Sequence, residues 1–261
     1  MASDIFYTIG STHQICQDYA LTDGESYVVI SDGCSSAKDT DWGSRLLAQC
    51  LVNSNFDYHQ ALFNAKAHVD SLKLHPDCLL STLLCAFKRN GVITTLVWGD
   101  GYVIARERLT KKLVLISHVF DSGAPYYLYY ELGGKQGYVD VYGKSKLRVT
   151  TSYEKLGWLI DLMEIKADSG LITRSFSVKE YDLVAVISDG LKSFVQQQKQ
   201  ETSIINMPVD IMSIIPQLFS LKTTDGQFMH RRCIKMFRDL NAQNIKNTDD
   251  FSVGVLVNCT N

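Results

Sequence analysis

The chain is short of the features that mark most specialised classes. It has only four prolines in 261 residues, and none clusters into a linker. It carries no low-complexity tract and no repeat of solenoid period, which excludes stacked-repeat architectures. No apolar run approaches the roughly 20 residues of a membrane-spanning helix. The formal net charge of −2 is too near zero for a nucleic-acid face or a polybasic membrane anchor. The start, MASDIFYTIG, lacks the basic head and long apolar centre of a secretory leader, so the cytosol is the expected location. Spaced cysteine pairs are missing too. The seven cysteines (Cys16, Cys34, Cys50, Cys78, Cys85, Cys233 and Cys259) include no C-x-x-C step, which argues against a zinc site or a dithiol redox motif. In a reducing compartment most of them are expected as small buried apolar residues, Cys34 being the exception to watch.

What is there suits one large core. Hydrophobic residues make up 46% of the chain and charged residues 21%, and a single domain over 1–261 is expected. SYVVIS (26–31) reads as a buried strand, and DTDWGSRLLAQCLVNS (39–54) as a helix capped by Asp39, Thr40 or Asp41. A second helix is expected over about Tyr58–Leu74, ended by His75-Pro76. From 79 to 120, RNG and GDG steps between β-branched runs predict an antiparallel meander with tight hairpins. Residues 121–146, rich in Gly and Tyr and without a clear period, read as a flap over the surface. LITRSFSV and DLVAVIS predict a pair of strands, and FSVGVLV a last one. Helical patterns return over Leu191–Gln200, Val209–Ser220 and Gln227–Asn241. Runs of strands and runs of helices, rather than strict alternation, predict an α+β fold with mainly antiparallel sheets.

One pattern carries chemistry. VVISDG (28–33) and VAVISDG (184–190) each aim an Asp-Gly out of an apolar strand, and each is expected to enter a helix at once, whose N-terminus favours a carboxylate. Asp18 in CQDYAL, Asp100 in WGDG, and Asp249 with Asp250 in NTDDFS also lie at strand ends. Any one such Asp is ordinary turn chemistry. As a set, converging carboxylates repel one another, and a hard divalent cation such as Mg²⁺ or Mn²⁺ relieves that repulsion through oxygen ligands. Two such ions can activate a water and clamp a phosphoryl group.

In their order, CQDYAL, ISDGCSS, LSTLLCAF, WGDGYVIAR, ISDGLKSF and TDDFSVGVL resemble the motifs of the PP2C (PPM) metal-dependent protein phosphatases, in a divergent bacterial-type branch. The resemblance runs from about Gly10 to Val257; each motif is weak alone, and the ordered set is fairly specific. It implies a four-layer α-β-β-α sandwich and hydrolysis of phosphoserine and phosphothreonine by a metal-bridging hydroxide, with no covalent enzyme intermediate. Two or three Mn²⁺ or Mg²⁺ ions are implied. Asp32 would bridge two of them, the Gly33 carbonyl and Asp18 would serve the second, Asp189 and Asp249 would hold the first, and Asp100 with Asp189 would hold a weaker third. A phosphoprotein substrate, a cognate Ser/Thr kinase and a monomeric state go with that reading.

The sequence departs from the family in several places. Gln17 stands where a Glu is frequent, Cys34 replaces the histidine of DGHGG, and GDSR has become Gly99-Asp100-Gly101-Tyr102. The phosphate-binding arginine is missing, and His13 sits near its place as a substrate-binding candidate. These losses keep two rivals in play: a catalytically idle regulatory module of the same fold, and a small-molecule phosphoesterase. HRRC (230–233) looks like a phosphate patch, with a solvated or salt-bridged helix face as the plainer reading.

Overall fold

The run Leu183–Ile187 is apolar at every position because it is buried on both sides. Leu183, Ala185 and Ile187 belong to one hydrophobic core, and Val184 and Val186 to another. The same alternation holds in Tyr102–Ala105, where Tyr102 and Ile104 face the first core and Val103 and Ala105 the second. Successive strand side chains point to opposite faces, so a sheet in the middle of a layered molecule needs continuous apolar sequence. Each fully buried Val, Leu or Ile contributes about 1.5–3 kcal/mol.

The computed structural model describes residues 1–153, 159–199 and 204–258. Strands β1 (Ala2–Thr8), β2 (Tyr19–Thr22) and β3 (Tyr27–Ser31) lead into helices α1 (Thr40–Asn53) and α2 (Tyr58–Leu72). Four strands follow: β4 (Leu83–Arg89), β5 (Val92–Trp98), β6 (Gly101–Glu107) and β7 (Leu113–Phe120). Helix α3 (Lys135–Tyr142) precedes β8 (Lys146–Tyr153), β9 (Leu159–Lys166), β10 (Leu171–Ser177), β11 (Tyr181–Ile187), β12 (Phe194–Lys199) and β13 (Ile204–Pro208). Helices α4 (Ile211–Leu218) and α5 (Phe228–Asn241) come next, then β14 (Ile245–Asn247) and β15 (Phe251–Val257).

These strands form a seven-stranded sheet (β1-β15-β11-β6-β7-β8-β9), a five-stranded sheet (β10-β5-β4-β3-β2) and a small third one (β13-β12-β14), with antiparallel pairing throughout. The two large sheets share a core that also takes in Leu47, Leu51, Leu62 and Val69 of α1 and α2. The outer face of the seven-stranded sheet is covered by Ile214 and Leu218 of α4 and by Met229, Cys233 and Met236 of α5. This is the expected α+β, α-β-β-α order. Asp57 caps α2 through the Gln60 N–H at 3.0 Å. Helix α5 is capped from outside, since the Met229 N–H donates to Asp4 Oδ2 of β1 at 2.5 Å. Asp39 holds the N-cap position of α1 in a left-handed conformation and makes no side-chain cap.

Several expectations are corrected. RNG does make the β4–β5 hairpin, but GDG does not close one: it carries the chain from β5 in the five-stranded sheet to β6 in the seven-stranded sheet. LITRSFSV and DLVAVIS are strands β10 and β11, yet they belong to different sheets. The run from Leu191 is not a helix. Asp189–Lys192 forms one 3-10 turn and Phe194–Lys199 is a strand, because tertiary pairing with β13 and β14 overrides the helical preference of its glutamines; Gln200 lies outside the described residues. Neither ISDG therefore enters a helix at once. The 121–146 segment is more than a surface flap, for Tyr126, Leu128 and Tyr138 are buried in the main core. Four of the six described cysteines are buried, Cys16 and Cys34 are partly exposed, and Cys259 lies outside the described residues.

Candidate active site

The five predicted acids arrive from separate parts of the chain. Asp18 precedes β2, Asp32 follows β3, Asp100 sits in the step between the two large sheets, Asp189 follows β11, and Asp249 precedes β15. Asp32, Asp100, Asp189 and Asp249 line one open cavity of about 260 Å³, together with Gly33, Thr82 and, from the 121–146 segment, Tyr127. Asp18 lies beneath it, 1% exposed.

Main-chain contacts fix the loops that carry these acids. Thr82 grips Asp32 from both sides: its Oγ1 accepts the Asp32 N–H at 3.1 Å, and its own N–H donates to the Asp32 carbonyl at 2.8 Å. The Gly33 N–H donates to Gln17 O at 3.2 Å and that of Cys34 to Leu80 O at 2.8 Å. Asp250, 3% exposed, accepts the N–H groups of Gly10 at 2.8 Å and Gln17 at 2.6 Å, which ties the loop before β2 to the start of β15. The glycines of both ISDG steps are explained by close approach. A Cβ at Gly33 would lie 2.8 Å from Thr40 Cβ and carbonyl O, and one at Gly190 would lie 1.9 Å from the Asp250 carbonyl O. Gly190→Ala is accordingly expected to cost about 2–4 kcal/mol, read as a lowered urea midpoint with an unchanged m-value.

The electrostatics are those of crowded carboxylates. Burial pushes Asp18 up to about 7. Burial and then the charge of Asp189 push Asp100 up to about 7. Asp32 is raised well above the ordinary carboxylate range by burial, then by Asp18, Asp189 and Asp100. Asp249 is raised by burial and then by Asp189. Among the described residues no hydrogen bond of good geometry reaches either buried Asp18 carboxylate oxygen, although Ser252, Asp32 and Ser188 lie close enough to offset part of the cost of its burial. A set made only of carboxylates and a main-chain carbonyl, with two buried oxygens lacking such bonds, fits the donor chemistry of a hard divalent cation. Among the described residues no group of three or more His, Cys, Asp or Glu side chains has the mutual spacing of a closed metal cage.

Three residues near the acids escaped the sequence reading. Lys192 Nζ lies 2.7 Å from Asp189 Oδ2, and the opposing charges of Asp189 and Asp100 hold the ammonium protonated against burial. It was hidden by the helix expected there. Tyr127 reaches Cys34, and its phenol is pushed far up by burial, then by Cys34, Asp100 and Asp32. No periodic signal in 121–146 could have found it. Thr82 lay inside LSTLLCAF without a role. His13 does not line the cavity. Its imidazole bridges the acid pair, with Nε2 3.3 Å from Asp249 Oδ1 and Nδ1 3.1 Å from Asp250 Oδ1. If the lysine competes with a cation for Asp189, Lys192→Met should tighten Mn²⁺ binding about tenfold, after discounting its half-exposed position. Calorimetry checks this; weaker binding in the variant would show that the ammonium does not oppose the ion.

No protein-family model matches the chain, and no curated protein does. Solved structures match its fold over nearly their whole length. The serine/threonine phosphatase Stp1 from Staphylococcus aureus superposes with a TM-score of 0.55 at 11% identity, covering 100% of this chain and 96% of that one. The Mycobacterium tuberculosis serine/threonine phosphatase PstP/Ppp gives 0.54 at 14% identity, with 97% and 96% covered. The catalytic domain of PstP in complex with two manganese ions gives 0.53 at 12% identity, with the same coverage. The fold is that of bacterial PP2C-type serine/threonine phosphatases, as the ordered motifs implied.

Proposed function

We propose that this chain is a divalent-cation-dependent phosphatase of phosphoserine and phosphothreonine proteins, with 1–261 as one catalytic unit. The observation that carries the reading is the convergence of Asp32, Asp100, Asp189 and Asp249 on one cavity of a PP2C-type sandwich, with the buried carboxylate of Asp18 set against Asp32. Asp18, Asp32, Asp189, Asp249 and the Gly33 carbonyl would hold Mn²⁺ or Mg²⁺, with Asp100 beside them. When bound, such ions supply Lewis-acid activation of a water and of the phosphoryl group.

The chain's own residues do the rest. Thr82 and Gln17 hold the Asp32–Gly33 loop in place through the main chain. Asp250 and His13 set the height of Asp249. Lys192 supplies positive charge for an incoming phosphate, the part left open by the missing arginine. The Tyr127 phenol walls the cavity and is neutral at physiological pH, so it can donate a hydrogen bond to substrate. No helix among the described residues is long and apolar enough to cross a membrane. The substrate class proposed is the phosphoprotein product of a Ser/Thr kinase.

The test is hydrolysis of a phosphothreonine peptide and of p-nitrophenyl phosphate with and without Mn²⁺. Turnover that requires the ion, with the peptide preferred, supports the reading. Calorimetric binding of the peptide with no turnover in Mn²⁺ or Mg²⁺ would favour a binding module instead, a reading that the Lys192–Asp189 ion pair also motivates.

A further inference from the structure

The patch HRRC does not lie on an ordinary salt-bridged face. Lys222, Arg231, Arg232 and Lys235 line a cavity of about 250 Å³ between the loop after α4 and the first turns of α5. Among the described residues none of the four forms an ion pair with a carboxylate. Both guanidinium groups are oriented by main-chain oxygens. Arg231 Nη2 donates to the Asp225 carbonyl at 2.6 Å and to Thr223 Oγ1 at 3.3 Å, and Arg232 Nε donates to the Gln217 carbonyl. Carbonyl partners hold the side chains in place without neutralising their charge. Four uncompensated cations around one hollow raise the local potential and favour a polyvalent anion. Phe228, buried, and Leu221 complete the wall with apolar surface. The volume lies below that of drug-sized ligand sites, which limits the occupant to a small one.

The geometry points to a second ligand site on this chain, one that takes a small organic phosphate: a phosphate dianion carried on a compact apolar or aromatic body. Arg fits the role because its planar fork can meet two phosphate oxygens at once, while Lys222 and Lys235 add point charge. None of the five acids lines this cavity, and none of its cations lines the acidic one, so the inference stands whether or not the acids are catalytic.

The experiment is calorimetric titration at low salt, in chelator, with phenylphosphonate and separately with inorganic phosphate. The native chain is expected to bind phenylphosphonate saturably at one site and more tightly than inorganic phosphate. Arg231→Gln with Lys235→Gln is expected to weaken that binding by about tenfold or more, since two charge-assisted contacts are lost, with an unchanged melting temperature. Should that pair of changes unfold the protein, Lys222→Gln with Lys235→Gln serves, both being lysines on the rim. Asp32→Asn is expected to leave the binding as it is. No saturable binding, equal binding by native and basic-pocket variants, no preference for the aryl compound, or loss of binding in Asp32→Asn would each overturn the proposal.

Discussion

Asp32→Asn is expected to lower phosphothreonine-peptide turnover in Mn²⁺ by at least about a hundredfold and to weaken Mn²⁺ binding, while leaving the fold intact. Asp32 is the acid on which the others converge: Asp18, Asp189 and Asp100 all bear on its titration. Asparagine keeps the shape and one oxygen but removes the charge that answers a divalent ion. Lewis-acid assistance is worth several kcal/mol of transition-state stabilisation, and each 1.36 kcal/mol is tenfold in rate, so a hundredfold loss is the modest end. The measurements are steady-state kinetics and calorimetry on both proteins. Native-like turnover in the variant would remove the acid cluster from the chemistry.

The second large effect is on stability, and its sign is unusual. In chelator at pH 8, Asp18→Asn is expected to be more stable than the native protein by about 2–4 kcal/mol. The carboxyl of Asp18 is raised from 3.8 to about 7 in the fold, first by burial. In the unfolded chain it is ionised above about pH 4. Between those two values the folded state binds the proton and the unfolded state does not. Stability linked to this group is therefore fully present below about pH 4, declines as pH rises, and is gone above about 7. A rise of that size corresponds to about 4 kcal/mol, which Asp18 shares with its neighbour Asp32. Urea denaturation at pH 5.5 and pH 8 checks the slope: the native protein in chelator should be the more stable at pH 5.5, and the variant should show a shallower slope, having lost the share of Asp18 while Asp32 and Asp100, also raised by burial, keep theirs. Saturating Mn²⁺ should reverse the order at pH 8, because an ion that binds only the folded state stabilises by mass action, and the variant has one ligand fewer. A native protein more stable at pH 8 than at pH 5.5 in chelator would contradict the burial of an ionisable Asp18.

The acids were legible because a carboxylate at the end of an apolar strand leaves a local signature that survives whatever the strand pairs with. Asp32 and Asp189 could be read from two nearly identical hexapeptides, and the central strands from their unbroken apolar runs. What the acids are paired with was not legible. Lys192 is three residues from Asp189, but its role depends on a single 3-10 turn rather than a helix, and the strand that follows takes its shape from β13 and β14, not from FVQQQK itself. The glycines were read as turn formers or as a carbonyl offered to an ion, whereas Gly33 and Gly190 are required by backbone passing within contact distance, a fact about distant residues. Tyr127 comes from a segment with no period, held by a cluster of buried tyrosines whose packing no local pattern encodes. GDG looks like a hairpin in sequence because the same dihedral freedom serves a crossing between sheets.

The strand order β1-β15-β11 has a consequence for synthesis on the ribosome. The last strand of the chain does not close an outer edge of the sheet; it slots between the first strand and β11, pairing Ala2–Thr8 on one side and Leu183–Ile187 on the other. Until Phe251–Val257 has emerged, β1 has no partner in that sheet and β11 presents a bare apolar rim. The nascent polypeptide thus carries β1 unpaired until β15 is made, and a second open edge once β11 has followed, a state prone to mispairing. Asp249 and Asp250 arrive with that same strand, so the acidic end is completed at the moment the sheet is sealed, and a chain released early would lack both at once.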